Sequence, residues 1–304
     1  MKKILVIGSL NMDIITKVKK TPKVGETILG EGLINVPGGK GANQSVALGK
    51  LGVDVKHVGK VGNDNFGEVL RNNLKKNNVD INYVRTDKKE PTGTALIMLN
   101  ENGNNSIVVI PGANFKLKKE DIDEDMIKSS DILLSQFETP METIEKSFEI
   151  GRRNGIYTVL NPAPARRIKN ELLKNVDLLI PNETEFEVLT GIKIDNVDDV
   201  VKGSKELLKN GVKEIIVTMG EDGVVHINKN GFKKYSAYNV KAIDTTAAGD
   251  SFIGGLLSRI ALDETIEKSI EYAIKVSALT VMKIGAQSSL PSLEEVSRFD
   301  GLKR

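Results

Sequence analysis

The sequence predicts an α/β fold: a three-layer αβα body with a mainly parallel central sheet, plus a small separate β-sheet. Three observations predict it. Short apolar, β-branched or Leu-rich runs alternate with helical patterns along most of the chain. Each run is bounded by Gly, Pro, Asn or Asp. Two segments break this rhythm with strand patterns and no helix between them. Alternation of the first kind implies βαβ units, because parallel strands need crossover connections.

The predicted core strands are Ile4–Gly8, Val55–Val58, Ile132–Ser135, Tyr157–Leu160, Leu178–Ile180 and Ile215–Thr218. The predicted helices are Ala42–Leu51, Phe66–Asn77, Glu142–Asn154, Glu183–Thr190, Val197–Asn210, Ser251–Ala261 and Thr265–Ile284. In the third of these, Ile144, Phe148 and Gly151 fall at helical spacing. The first irregular segment, 13–36, reads as two strands joined by a Pro22/Gly25 turn. The second, 92–111, reads as a hairpin around a Gly/Asn-rich loop at Glu101–Asn105. Together they suggest a small β-layer, either a lid over a site or an association surface. No linker separates independent domains, so residues 1–304 read as one unit.

Composition narrows the chemistry. The chain of 304 residues has no cysteine, no tryptophan and only two histidines, His57 and His226. Disulfides, thiolate nucleophiles, Cys-based metal sites and multi-His cages are therefore excluded. Lys and Arg total 43 against 41 Asp and Glu, a formal charge of +2, with no long basic block to serve as a nucleic-acid footprint. No apolar stretch approaches the length of a membrane span. The apolar start, ILVIGSL, enters Asn11-Met12-Asp13 without a small-residue cleavage pattern, so it reads as a buried strand. Lack of cysteine fits a reducing cytoplasm. Both histidines sit in apolar strand contexts and read as structural, while Lys17–Lys20 and Lys116–Lys119 read as solvated faces.

Carboxylates, backbone amides, lysine and bound cations must then carry any catalysis. The most informative segment is Asp244-Thr245-Thr246-Ala247-Ala248-Gly249-Asp250, leading into a helix. Its small residues let backbone N–H groups converge on an anion at a helix N-terminus. Asp250 suits an N-cap, or a base that takes a proton from a hydroxyl attacking phosphorus. Gly38-Gly39-Lys40-Gly41-Ala42-Asn43 joins a strand to a helix, and its glycines allow close backbone approach to a ligand. Neither a Walker A loop nor G-x-G-x-x-G is present.

Other strand ends carry polar groups. Asn11-Met12-Asp13 suits the hydroxyls of a polyol. Glu138 follows another strand and can reach the same crevice. Asn182-Glu183-Thr184-Glu185 reads as a capping box whose acids could also hold water-coordinated Mg²⁺. Thr218-Met219-Gly220-Glu221-Asp222-Gly223 is a turn that could face a nucleotide's phosphates or ribose. Lys283–Pro291 lacks regular pattern, and its carbonyls could face a monovalent cation.

The order of these segments resembles the ribokinase family of carbohydrate and nucleoside kinases, from Ile4 to about Pro291. N-M-D, G-G-K-G-A-N-Q, N-P-A-P-A-R, D-T-T-A-A-G-D and G-A-Q-S-S-L-P carry the resemblance. It implies ATP-dependent phosphorylation of D-ribose at its 5-hydroxyl. Asp250 would be the base, and Ala247, Ala248, Gly249 and the Asp250 amide the anion hole. Asn11, Met12, Asp13, Gly39, Lys40, Gly41, Ala42, Asn43, Glu138 and Asp250 would surround the sugar. Asn182 and Thr218 to Gly223, including Met219, Gly220, Glu221 and Asp222, would border ATP with Gly249 and Asp250. Ile274 stands where the family often has an aromatic, His or Asn beside the nucleotide. Glu185 would organise Mg²⁺ through water. Asp244, Thr246, Thr280, Lys283, Gly285 and Ser289 would hold an activating K⁺. The two β segments match the family's lid, which also forms a homodimer interface.

Two other classes remain as alternatives: a related kinase acting on deoxyribose, fructose or a nucleoside such as pseudouridine, and a non-catalytic sugar-binding regulator. The second would require loss of Asp250 or the anion nest, and both are present. A Rossmann dehydrogenase lacks its fingerprint.

Overall fold

A computed structural model describes residues 1–101 and 105–303. Residues 102–104 of the loop expected at Glu101–Asn105 lie outside the described residues.

Among the described residues thirteen strands form two sheets. In chain order they are β1 (Ile4–Ile7), β2 (Asn11–Val18), β3 (Gly30–Gly38), β4 (Val55–Gly62), β5 (Val79–Asp87), β6 (Gly93–Asn100), β7 (Asn105–Ile110), β8 (Ile132–Ser135), β9 (Tyr157–Leu160), β10 (Leu178–Leu179), β11 (Glu214–Thr218), β12 (Val224–Asn228) and β13 (Gly231–Tyr235). The helices are α1 (Lys40–Lys50), α2 (Asn65–Lys76), α3 (Glu124–Lys128), α4 (Met141–Arg153), α5 (Asn170–Leu173), α6 (Glu183–Thr190), α7 (Val197–Lys209), α8 (Ala248–Ile260), α9 (Ile266–Val281) and α10 (Leu293–Arg298).

The large sheet has the order β13-β12-β11-β10-β9-β8-β1-β4-β5. From β11 to β5 every neighbouring pair is parallel, and the β11–β12–β13 edge is antiparallel. Successive residues of β1 feed opposite cores: Ile4 and Val6 face one cluster, Leu5 and Ile7 the other. All four are fully buried, as expected of a strand covered on both faces. Residues of α1, α8 and α9 pack in the first cluster, and residues of α4, α6 and α7 in the second. The three-layer α/β fold is therefore present.

The small sheet has the order β3-β2-β6-β7. β2 pairs antiparallel with β3 and parallel with β6, and β6 pairs antiparallel with β7. It joins the two irregular segments into one layer. Among the described residues no helix is long and apolar enough to cross a membrane.

Two strands go beyond the sequence reading, β5 and β13, and β12 extends the apolar strand context expected around His226. Several predicted boundaries shift, among them α1, which begins at Lys40, and β4, which runs on to Gly62. The helix expected at Ser251–Ala261 begins at Ala248, because Ala247 adopts a left-handed conformation (φ 60°) as its N-cap. The helix expected at Thr265–Ile284 ends at Val281, which frees the segment around Lys283.

Candidate active site

β1 lies between β8 and β4 in the large sheet, seventh of its nine strands. The chain leaves it toward β4 on one side and β8 on the other, so a crevice opens beyond the strands' carboxyl ends at this switch point. Every strand-end segment singled out above lies there. Asn11 and Asp13 follow β1, Glu138 follows β8, Asn182 follows β10 and Thr218 ends β11. A parallel bridge between Asn182 and Thr218 continues the pairing past the strands and sets these two loops side by side.

A cavity of about 180 Å³ is lined by Lys40, Asn182, Glu185, Thr218 and the turn Ala247–Asp250. It adjoins a wider cleft of about 730 Å³, which shares Asn182, Thr218, Ala248 and Gly249 and continues past Gly220, Gly223, Tyr238, Phe252 and Ile274. The smaller space is polar and the larger mostly apolar. That division suits a phosphate chain leading to a flat heterocycle.

The turn at 247–250 is shaped by its sequence. Ala247 enters the left-handed region, and no side chain caps the helix that follows. The first N–H groups of α8 are thereby left free of a side-chain partner at the positive end of the helix dipole. A Cβ built on Gly249 meets nothing within 4 Å, so the backbone there borders open space.

Asp250 is not the N-cap that its type and place allow. Its buried carboxylate points away from the helix end, where Oδ2 accepts from Asn43 Nδ2 and Oδ1 from Gln44 Nε2, both at 2.9 Å. Burial pushes its carboxyl above the ordinary range, against the Lys40 ammonium and these two amides. Lys40 is itself held above the usual lysine value: burial lowers it, but Asp250, Glu138 and Glu185 outweigh that.

The other side of Asp250 is a cluster of acids and amides. Burial, with Glu138 and Asp250 nearby, pushes Asp13 up to about 7. Glu138 Oε2 accepts from Ser9 Oγ at 2.5 Å and from the Lys40 amide at 3.0 Å. Asn11 Oδ1 accepts from Asn114 Nδ2 at 2.7 Å, and Asn114 also brackets the Leu10 backbone. Gly39 has φ 91° and allows the chain to pass Asn11, whose N would lie 2.7 Å from a Cβ there.

Glu185 closes a capping box on α6: its Oε2 accepts from the Asn182 amide at 2.9 Å while Asn182 Oδ1 accepts from its own amide at 2.8 Å. Burial raises its carboxyl, against the Asn182 amide and Lys40. Asp244 ties two loops: Oδ1 accepts from Thr246, and Oδ2 from the Gly285 amide at 2.8 Å. Those bonds hold its carboxyl below the ordinary range despite partial burial.

Several expected contact residues are packed otherwise. The side chains of Met12 and Ala42 belong to one core and Met219 to the other. Gly41 packs on the backbone of Gly8, 2.6 Å from where its Cβ would be. These four can offer only backbone groups. Asn43 has both ends engaged, with Asp250 and with Gln287 Nε2 at 3.0 Å. Ile274 is buried in the core yet borders the wider cleft. The Lys283 ammonium pairs with Glu295, which leaves its backbone carbonyl as the group it can offer. Sequence reading missed Gln44, Asn114, Asn161 and Gln287. Gln44 and Gln287 lie inside or beside the motifs, but only the fold shows their partners. His57 is fully buried with Nδ1 2.8 Å from Ser45 Oγ, and His226 pairs with Glu214 on the neighbouring strand at 2.8 Å, so both are structural.

A helix N-terminus without a side-chain cap, a buried carboxylate in its first turn and a cluster of acids and amides thus lie close together. The chain matches the pfkB family carbohydrate kinase profile over residues 1–293. It belongs to that family. Relatives share its full length. A ribokinase of Staphylococcus aureus (strain COL) is 38% identical over 300 residues, spanning 97% of this chain and 99% of its own. A deoxyribokinase of Salmonella typhimurium is 37% identical over 299 residues, spanning 97% and 98%. The structure of Arabidopsis thaliana ribokinase complexed with ribose and ATP superposes with a TM-score of 0.92 at 30% identity, covering 98% of this chain and 99% of the other. As a pfkB kinase, this protein is a phosphotransferase with an alcohol acceptor.

Proposed function

We propose that this protein transfers the γ-phosphoryl group of ATP to O5 of D-ribose, with Asp250 as base. The observation that carries the reading is the place of Asp250, buried between the anion nest at 247–250 and the polar cluster of Asn11, Asp13 and Glu138. The relatives that are ribokinases, one of them complexed with ribose and ATP, support the substrate pair.

In this reading the sugar lies against Asn11, Asp13, the Gly39–Lys40 backbone and Glu138. Asp250 accepts the O5 proton as that oxygen attacks phosphorus. The amides of 247–250 and the Lys40 ammonium face the charge that develops on the phosphoryl oxygens. Asn182, Thr218 and the glycines at 220 and 223 flank the nucleotide, whose base enters the apolar cleft beside Ile274. The donor sets fit hard cations. Glu185 brings a buried carboxylate to the smaller cavity, suited to hold Mg²⁺ through water. When bound, the ion neutralises phosphate charge. The loops joined by Asp244 and Gly285 offer only oxygens to K⁺: the Thr280 and Ser289 hydroxyls donate to nearby carbonyls and keep their lone pairs, and Lys283 can supply only its carbonyl. Residues 1–304 act as one unit, with the small sheet as a lid that excludes water and as the face of a homodimer. The cysteine-free sequence and ATP-dependent chemistry suit the cytoplasm.

An ATP-consumption assay over pentoses, hexoses and nucleosides, with and without K⁺, tests this. Ribose should be turned over fastest, with K⁺ stimulation. Fastest turnover of 2-deoxyribose, the reading favoured by the deoxyribokinase relative, would replace the substrate assignment. No phosphorylation of any sugar in the panel would leave the regulator alternative standing.

A further inference from the structure

The Asp250 carboxylate is met by two amides from one turn of α1. Asn43 lies within the sugar-site motif, but Gln44 lines neither cavity and is fully buried. Its amide is fixed on every side. One Nε2 hydrogen goes to Asp250 Oδ1 at 2.9 Å and the other to Asn161 Oδ1 at 3.1 Å. Its Oε1 accepts from Gln136 Nε2 at 2.6 Å. Asn161 is anchored in turn by donating to the Ile180 carbonyl at 3.0 Å. A primary amide has two donors and one carbonyl, and all three are used.

Turning the Gln44 amide over would set its carbonyl against the carboxylate and its NH₂ against that of Gln136. Both contacts repel, so the charge on Asp250 fixes the polarity of the chain. The packing is close: a Cβ on Gly8 would stand 2.3 Å from Gln136 Oε1, so the network occupies space that glycine leaves. Gln136 directly precedes Phe137 and Glu138, which ties the network to the strand end that borders the sugar cluster.

We propose that Gln44 is a positioning residue for phosphoryl transfer, holding Asp250 as an aimed carboxylate and locking it to the strand end that carries Glu138. This rests on the assignment of Asp250 as the base. With Oδ1 engaged by Gln44 and Oδ2 by Asn43, the carboxylate is held against rotation while Asp250 lines the smaller cavity. The charged groups around it are Lys40 on α1, Glu138 after β8, Asp13 on β2 and Glu185 on α6. None of these changes when Gln44 is replaced, so the loss of one donor to the charged form should appear directly in how readily Asp250 binds a proton.

The test is Gln44→Met, which keeps an unbranched side chain of similar length but donates nothing. The full-length variant should melt cooperatively and keep KM for ATP and for ribose within about twofold, while kcat falls about 10- to 100-fold. The acidic limb of kcat against pH should move up by about one unit. On an Asp250→Asn background, where there is no carboxylate left to hold, adding Gln44→Met should change the residual rate by less than about twofold. Gln136→Met, which removes the anchor behind Gln44, should shift the limb in the same direction by less, and it carries the test if Gln44→Met does not fold. A folded variant with an unmoved acidic limb, or losses that multiply in the double mutant, overturns the proposal while Asp250→Asn stays inactive. Near-normal turnover in Asp250→Asn overturns the base assignment and this proposal together.

Discussion

Asn43 donates to Asp250 at 2.9 Å while its own carbonyl accepts from Gln287 at 3.0 Å. The base therefore sits in a cradle of amide donors, and an amide in its place would set an NH₂ against one of them while removing the base. Asp250→Asn should lower kcat about a thousandfold, because an amide cannot accept the hydroxyl proton. Ribose affinity, read by titration calorimetry, should stay within a few-fold of the parent. Near-normal turnover in this variant would remove Asp250 from the base role.

Neighbouring glycines separate binding from stability. A Cβ on Gly38 would fall 2.2 Å from Asp13 Oδ2, with no left-handed backbone to strain. Gly38→Ala should therefore push Asp13 aside, raising the ribose KM about tenfold or more with KM for ATP nearly unchanged, in line with one lost charge-assisted contact to a hydroxyl. Gly39 is different: φ is 91°, and its Cβ would meet the Asn11 amide at 2.7 Å. Gly39→Ala should cost about 1–3 kcal/mol in a urea melt. An ordinary ribose KM in Gly38→Ala would separate Asp13 from the sugar.

Much of the parallel sheet and the small β-layer was legible in the sequence, because buried parallel strands are short apolar runs and each was marked by turn residues. β5 was not. Its sequence, VDINYVRTD, mixes buried and exposed positions at a sheet edge and mimics a polar loop. β13 was hidden for a similar reason, since the exposed GFKKY is a strand only by virtue of pairing with VVHIN. The site was legible as motifs at strand ends. What could not be read was which side chains face each other. Asn43 and Asp250 are 207 positions apart, and Met12 differs from its neighbours Asn11 and Asp13 only in the strand face it occupies. Of the two readings open for Asp250, the N-cap gave way because local propensity yielded to tertiary partners on α1.

His57 makes stability depend on pH. Burial without a charge partner lowers its pKa from 6.5 to about 4. The folded state therefore holds a neutral imidazole where the unfolded chain would bind a proton. This contribution is complete above pH 6.5 and is lost as pH falls toward 4, at about 1.4 kcal/mol per pH unit and roughly 3 kcal/mol in all. Urea midpoints measured from pH 7.5 to 4 should show this slope, and His57→Leu should flatten it while losing the Ser45 hydrogen bond. A variant with the parent's full pH slope would place the titration in other groups.

The small sheet leaves an apolar edge in solvent. Ile107, Val108 and Val109 on β7 are 52%, 56% and 50% exposed, and Leu33 and Ile34 on β3 are 67% and 57% exposed. An edge strand apolar on both faces is a template for pairing, and natural sheets cover or charge such edges. A second copy of this chain is the cover that the proposed homodimer supplies. Ile107→Lys with Val109→Lys places two charges on one face of that strand. Each buried aliphatic side chain contributes about 1.5–3 kcal/mol, so the pair should weaken association at least 100-fold and shift the sedimentation coefficient to that of a monomer. Far-ultraviolet dichroism should be unchanged, since neither residue belongs to either core. A parent that sediments as a monomer, or a double variant that sediments as a dimer, would take this face out of the interface.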